Sequence, residues 1–127
     1  IGKDGKEDAA VASTKTNDGG TIDTYTNEKG ELVDIGLNKS DITVYMGQID
    51  EMVAGDAKGE EYGLYGKSVK GFSFIEIIGA AVGHEIEHTT KDNVKTRITQ
   101  GDKAAEVVPT QVSDTIIDQT NQLKKKN

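Results

Sequence analysis

Along this chain the hydrophobic positions alternate in the first part and recur at helical spacing in the second. "TIDTYT" sets Ile22 and Thr24 on one face and Asp23 and Tyr25 on the other, "NEKG" is a turn signal, and "ELVDIG" follows as a second short run. Thr21 to Ile35 therefore reads as a β-hairpin. "SDITVYMG" is β-branched and aromatic around Ile42 to Tyr45 and predicts a third strand, with a helical start capped at Ser40 or Asp41 as the alternative. Between Gly47 and Gly71 no period holds. Glycines stand at 47, 55, 59, 63, 66 and 71, with Tyr62 and Tyr65 among them, which reads as a long Gly-rich loop of the kind used as a lid or substrate edge.

The next element has a definite start. Ser73-Phe74-Ile75-Glu76 is an S-x-x-E capping box, in which the hydroxyl accepts from an orphan amide and the glutamate reaches back to the cap's own N–H. Ile75, Ile78, Val82 and Ile86 then recur at helical spacing and predict the buried face, with Ile77, Ala81, His84 and His88 on an adjacent stripe. "TTKDN" should end this helix. Val94 to Thr99 reads as a short strand, Asp102 as the cap of a helix starting at Lys103, and Pro109 as a kink or restart. Val112, Ile116 and Leu123 carry an apolar stripe toward the C-terminus.

The ends look different. Residues 1–20 are polar and Gly-rich and read as a flexible leader, 21–123 as a single domain, and 124–127, with the run Lys124-Lys125-Lys126, as a disordered tail. A chain of 127 residues suits one domain with a modest core. The net charge of −7 disfavours nucleic-acid binding, which needs a basic stripe to displace counterions. No run is long and apolar enough for membrane insertion, and none reads as a signal peptide. Without cysteine there is no disulfide framework and no thiolate metal site. The chain starts at Ile1 rather than methionine, which suggests a piece of something longer.

Chemistry concentrates in His84-Glu85-Ile86-Glu87-His88, which holds both histidines of the chain. Residues i and i+4 project from one side of a helix, so two imidazoles there can converge on one zinc ion at about 2.0–2.1 Å. Glu85, offset around the helix, is placed to act as the general base toward a zinc-activated water. Two histidines falling at this spacing with this glutamate by chance has odds on the order of one in a thousand. Gly79 and Gly83 each cost roughly 1 kcal/mol of helix propensity, which points to close packing or to room beside a metal.

A catalytic zinc normally has three protein ligands and an open position, and with no third histidine the last ligand must be a carboxylate. Glu106, flanked by Ala105 and Val107 on a helix downstream, is the first choice; Asp102, Asp92 and Asp114 are the alternatives. Tyr62, Tyr65 and the sole arginine, Arg97, are candidates for stabilising an oxyanion or contacting substrate.

"GHEIEHTT" followed by "DKAAEVVPTQVSD" resembles the short zincin metallopeptidase domains of bacterial polymorphic toxins, the C-terminal effector modules of Rhs-type and contact-dependent inhibition proteins. "YTNEKGEL" is similar to the Tyr-Asp repeats of Rhs shells, with Thr26 in place of the Asp and one extra residue. The specific part of the likeness covers about residues 72–118. It implies that His84, His88 and a downstream glutamate hold zinc and that Glu85 is the base; Glu106 matches by its E-x-x-P setting. It further implies a module secreted or delivered into a target cell by a larger carrier, a protein substrate and a cognate immunity protein. The expected fold is α+β, a small antiparallel sheet packed on the motif helix with a C-terminal helical segment closing the site. A non-catalytic binding or structural module, and a zinc amidase acting on cell-wall material, are the competing expectations.

Overall fold

The computed structural model describes residues 10–16, 22–37 and 39–126. Most of the expected leader, together with Thr21 and Asn127, lies outside the described residues. The fold is mixed α+β. Its strands are β1 (Ala12–Thr16), β2 (Asp23–Thr26), β3 (Leu32–Gly36), β4 (Ser40–Val44), β5 (Gly63–Leu64) and β6 (Lys67–Ser68). Its helices are α1 (Met46–Ala57), α2 (Phe74–His88), α3 (Lys91–Gln100), the single turn α4 (Asp102–Ala105) and α5 (Val107–Lys126). Among the described residues the strands form three separate antiparallel pairs, β1 with β4, β2 with β3 and β5 with β6, in place of one small sheet.

The predicted hairpin is present. Asn27 closes its turn by accepting the backbone N–H groups of Lys29 and Glu31 on its side-chain oxygen, and Gly30 takes the left-handed conformation at φ 79°. Ile35 is its buried residue, and α3 packs against β3. The third predicted strand is β4, and its partner lies where the sequence reads as leader. It pairs with Ala12–Thr16, in register from Ala12↔Val44 to Thr16↔Ser40. Val11, just before this strand, is a core residue.

The region from Gly47 to Gly71 is no long loop. Ile49 and Met52, one turn apart, anchor α1 in the core, and Gly55 on the same helix is where the Tyr62 ring packs. A side chain at Gly55 would collide with that ring, so this glycine serves packing rather than flexibility. Beyond α1, Tyr65 and Gly66 have φ values of 52° and 83° and join β5 to β6 as a two-residue turn with both central residues left-handed. A tyrosine there costs on the order of 1–2 kcal/mol against glycine, and the site described below shows what it holds.

α2 begins as its capping box predicts, with Ser73 Oγ accepting from Glu76 N–H and Glu76 Oε1 accepting from Ser73 N–H at 2.9 Å. Its buried face is not the predicted one. Ile77, Ala80, Ala81, His84 and Glu85 point inward, whereas Ile75 is 78 % and Ile86 52 % exposed. α2 packs on α5 and β1, and its inward face carries small residues at 80 and 81 and a polar pair held by hydrogen bonds, with Tyr65 stacked on His84. Gly83 lies against Ile116 of α5, which matches the expected close packing; Gly79 faces open space and has no packing role.

Val94 to Thr99 is helical, not extended. Thr90 accepts the Asn93 N–H and starts α3, so a local cap overrides the β-branched alternation of "VKTRIT". Asp102 stands in the first turn of α4 after the left-handed Gly101 and makes no cap bond. Pro109 is accommodated in the first turn of α5, where a backbone N–H would lack an intrahelical partner. On α5 the buried positions are Pro109, Ser113 and Ile117; Leu123 is exposed and the stripe stops short of it. The C-terminal lysines continue α5, and Lys124 pairs with Glu76 at 2.8 Å, tying the helix end to the start of α2.

Candidate metal centre

α2 sets His84 and His88 one turn apart with ring centroids 5.1 Å from each other. His84 is only 2 % exposed, and Tyr65 stacks on its ring at 3.6 Å with an interplanar angle of 6°. His88 sits at the edge of the core. The two rings present the same nitrogen to the same group: His84 Nε2 lies 3.0 Å from Glu106 Oε2, and His88 Nε2 lies 3.0 Å from Glu106 Oε1. Glu106 occupies the junction between α4 and α5. His84, His88 and Glu106 are the group of three among the described residues whose ligand atoms all lie within 4.8 Å of one another.

The far side of each ring decides its protonation. Asn93 donates its side-chain amide to Ala105 C=O at 2.8 Å, so its Oδ1 faces His88 Nδ1 at 3.0 Å and accepts from it. Turning that amide over would set two oxygens against each other, so Nδ1 of His88 carries the proton. Ser113 directs its hydroxyl at the carbonyls of Pro109 and Thr110, and its oxygen then accepts from His84 Nδ1 at 3.2 Å. Both Nε2 atoms thereby face one carboxylate at 3.0 Å, and when the rings are neutral their lone pairs are aimed at it. That contact is repulsive unless positive charge lies between, which a ring proton or a metal cation supplies. Two imidazole nitrogens and a carboxylate oxygen, each oriented by an outer partner, form a donor set able to hold a metal ion. Asn93 acts twice, orienting His88 and pinning the backbone just before Glu106.

Glu85 is 6 % exposed and lies outside this donor set. Thr14 of β1 donates to its Oε2 at 2.6 Å, and the Tyr65 phenol reaches its Oε1 at 3.4 Å. Burial first, and the Glu85 carboxylate second, push the Tyr65 hydroxyl well above its ordinary range, so it stays protonated as a donor. Burial likewise holds the His84 imidazole below its ordinary range, only partly opposed by the Glu106 and Glu85 carboxylates.

Glu85, His88 and Glu106 open on a cleft of about 400 Å³, bordered by Thr14 of β1 on one side and by Asn93 and Arg97 of α3 on the other. Of the other candidate residues, Tyr65 is drawn into the centre and Tyr62 is not: Tyr62 packs over Gly55 and donates to Glu60 at 2.6 Å. Asp102 borders the cleft without joining the ligand group, Asp92 is exposed in the first turn of α3, and Asp114 on α5 has one buried, unpaired carboxylate oxygen. Thr14, Asn93 and Ser113 go unnoticed in the sequence. Only Ser113 left a trace, standing two helical turns after Glu106 and so in phase with it. No protein family, curated protein or solved structure matches the chain.

Proposed function

We propose that this chain is a zinc-dependent metallopeptidase of zincin-like packing, with His84, His88 and Glu106 as ligands and Glu85 as general base. The observation that carries the proposal is the pair of imidazoles, locked from behind by Ser113 and Asn93, aimed together at Glu106 beside a buried carboxylate in a cleft. Two nitrogens and one carboxylate oxygen suit zinc, which when bound lowers the pKa of water and polarises a carbonyl.

The chain's own residues supply the rest. Glu85, held by Thr14, accepts a proton from the attacking water as the new C–O bond forms, and returns it to the nitrogen as the C–N bond breaks. Tyr65, protonated and 3.4 Å from Glu85, is the neutral donor for the oxygen that gains negative charge. The likeness of "GHEIEHTT" and its downstream glutamate to toxin zincins supports a delivered effector module with a protein substrate and a cognate immunity protein. Incubating the zinc-loaded chain with an unfolded protein and a mixed peptide library, read by mass spectrometry, tests the activity. Glu85→Gln is expected to keep the metal and lose all cleavage; cleavage that survives in this variant would refute the role of Glu85.

A further inference from the structure

Arg97 is the sole arginine of a chain with net charge −7, and it borders the cleft beside the ligand group. It stands four residues after Asn93 on α3, so it projects from the same helix face about 6 Å further along. Asn93 is the residue that holds His88. Arg97 is half-buried as a residue, and its guanidinium makes no ion pair or hydrogen bond among the described residues, although Asp102 borders the same cleft. A cation left unpaired next to an open cleft is poised for an anion from outside, and a guanidinium fork matches a planar carboxylate in two hydrogen bonds.

We propose that Arg97 is the carboxylate-recognition point of the cleft, so that the substrate carries a carboxylate within about two residues of the scissile bond at roughly 3.3 Å per extended residue. This rests on the cleft being the peptide cleft inferred above. Two sources share the chemistry, an Asp or Glu side chain and a free C-terminal α-carboxylate. Arg97 is also in the last turn of α3, where a cation favours the helix dipole, but a lysine would serve that purpose equally and would not form the fork.

A single arginine gives a single guanidinium Nε–H signal in a nitrogen-15 spectrum, which makes the test direct. The labelled chain is titrated with acetyl-Asp-amide and acetyl-Ala with a free carboxylate, beside the neutral acetyl-Asn-amide and acetyl-Ala-amide. A saturable shift of the Arg97 signal with one carboxylate probe and not with its neutral counterpart is expected, and the responding probe identifies the source. In parallel, the zinc-loaded chain is given a peptide library with acidic or neutral residues and with free or amidated ends. Acidic-to-neutral or free-to-amidated kcat/KM ratios of about ten or more are expected, falling to about one in Arg97→Gln and to an intermediate value in Arg97→Lys. No carboxylate-specific shift, or cleavage without preference, overturns the assignment of Arg97 and leaves the metallopeptidase reading intact. A specific shift with no peptide cleaved does the reverse.

Discussion

His84 and His88 are chemically identical candidate ligands one helical turn apart, yet the protein treats them differently. His84 is sealed between the Tyr65 ring and α5, with Ser113 behind it; His88 is 16 % exposed through its side chain and faces the cleft, with Asn93 behind it. The first is part of the core and could not be removed without leaving a hole. The second serves the cleft. In this candidate donor set one imidazole is fixed by packing as well as by a hydrogen bond and the other chiefly by a hydrogen bond, and substitutions should tell them apart.

The largest effect is expected from the histidines themselves. His84→Ala and His88→Ala should both abolish zinc retention, but His84→Ala should also destabilise the metal-free fold by about 2–4 kcal/mol through its cavity, against about 1 kcal/mol for His88→Ala. Urea unfolding of the metal-free variants separates them, and equal losses would mean that the two sites are not different in kind. Next come the outer partners. Asn93→Ala should weaken zinc affinity about 10–100-fold and more than Ser113→Ala, because Asn93 also holds the chain before Glu106. Chelator competition ranks the two, and the reverse order would remove Asn93's double role.

Smaller effects sharpen the picture. Tyr65→Phe keeps the stack on His84 and removes the donor, so zinc content should hold while turnover falls by about ten-fold or more. The smallest effect concerns pH. His84 has its folded-state pKa held below the ordinary 6.5 by burial, so the unfolded chain takes up the proton first. Stability of the metal-free protein should therefore fall as pH drops below about 6.5 and level off beneath the depressed value. His84→Gln should lose that part of the slope in denaturation measured across this range.

What was readable in the sequence was local. The Ser73 box, the helix it starts, the i,i+4 histidines and the hairpin closed by Asn27 each depend on neighbours within a few residues. Periodicity points to the wrong face of α2 because it equates apolar with buried. Here the inward stripe carries small residues and a hydrogen-bonded polar pair, while Ile75 and Ile86 face outward. α1 was hidden by glycines, one of which, Gly55, is there for the Tyr62 ring. Thr14 could not be found at all. Its role depends on pairing across the chain to β4, which carries it to within 2.6 Å of a glutamate 71 residues away, and nothing local marks such a position.

The most direct measurement is the zinc content of the purified, reconstituted chain by plasma mass spectrometry, beside a Glu106→Ala variant. About one zinc per chain, lost in Glu106→Ala, is the result expected if both imidazoles and that carboxylate hold the ion. No zinc after reconstitution at neutral pH, or full zinc retention without Glu106, would contradict the centre described above.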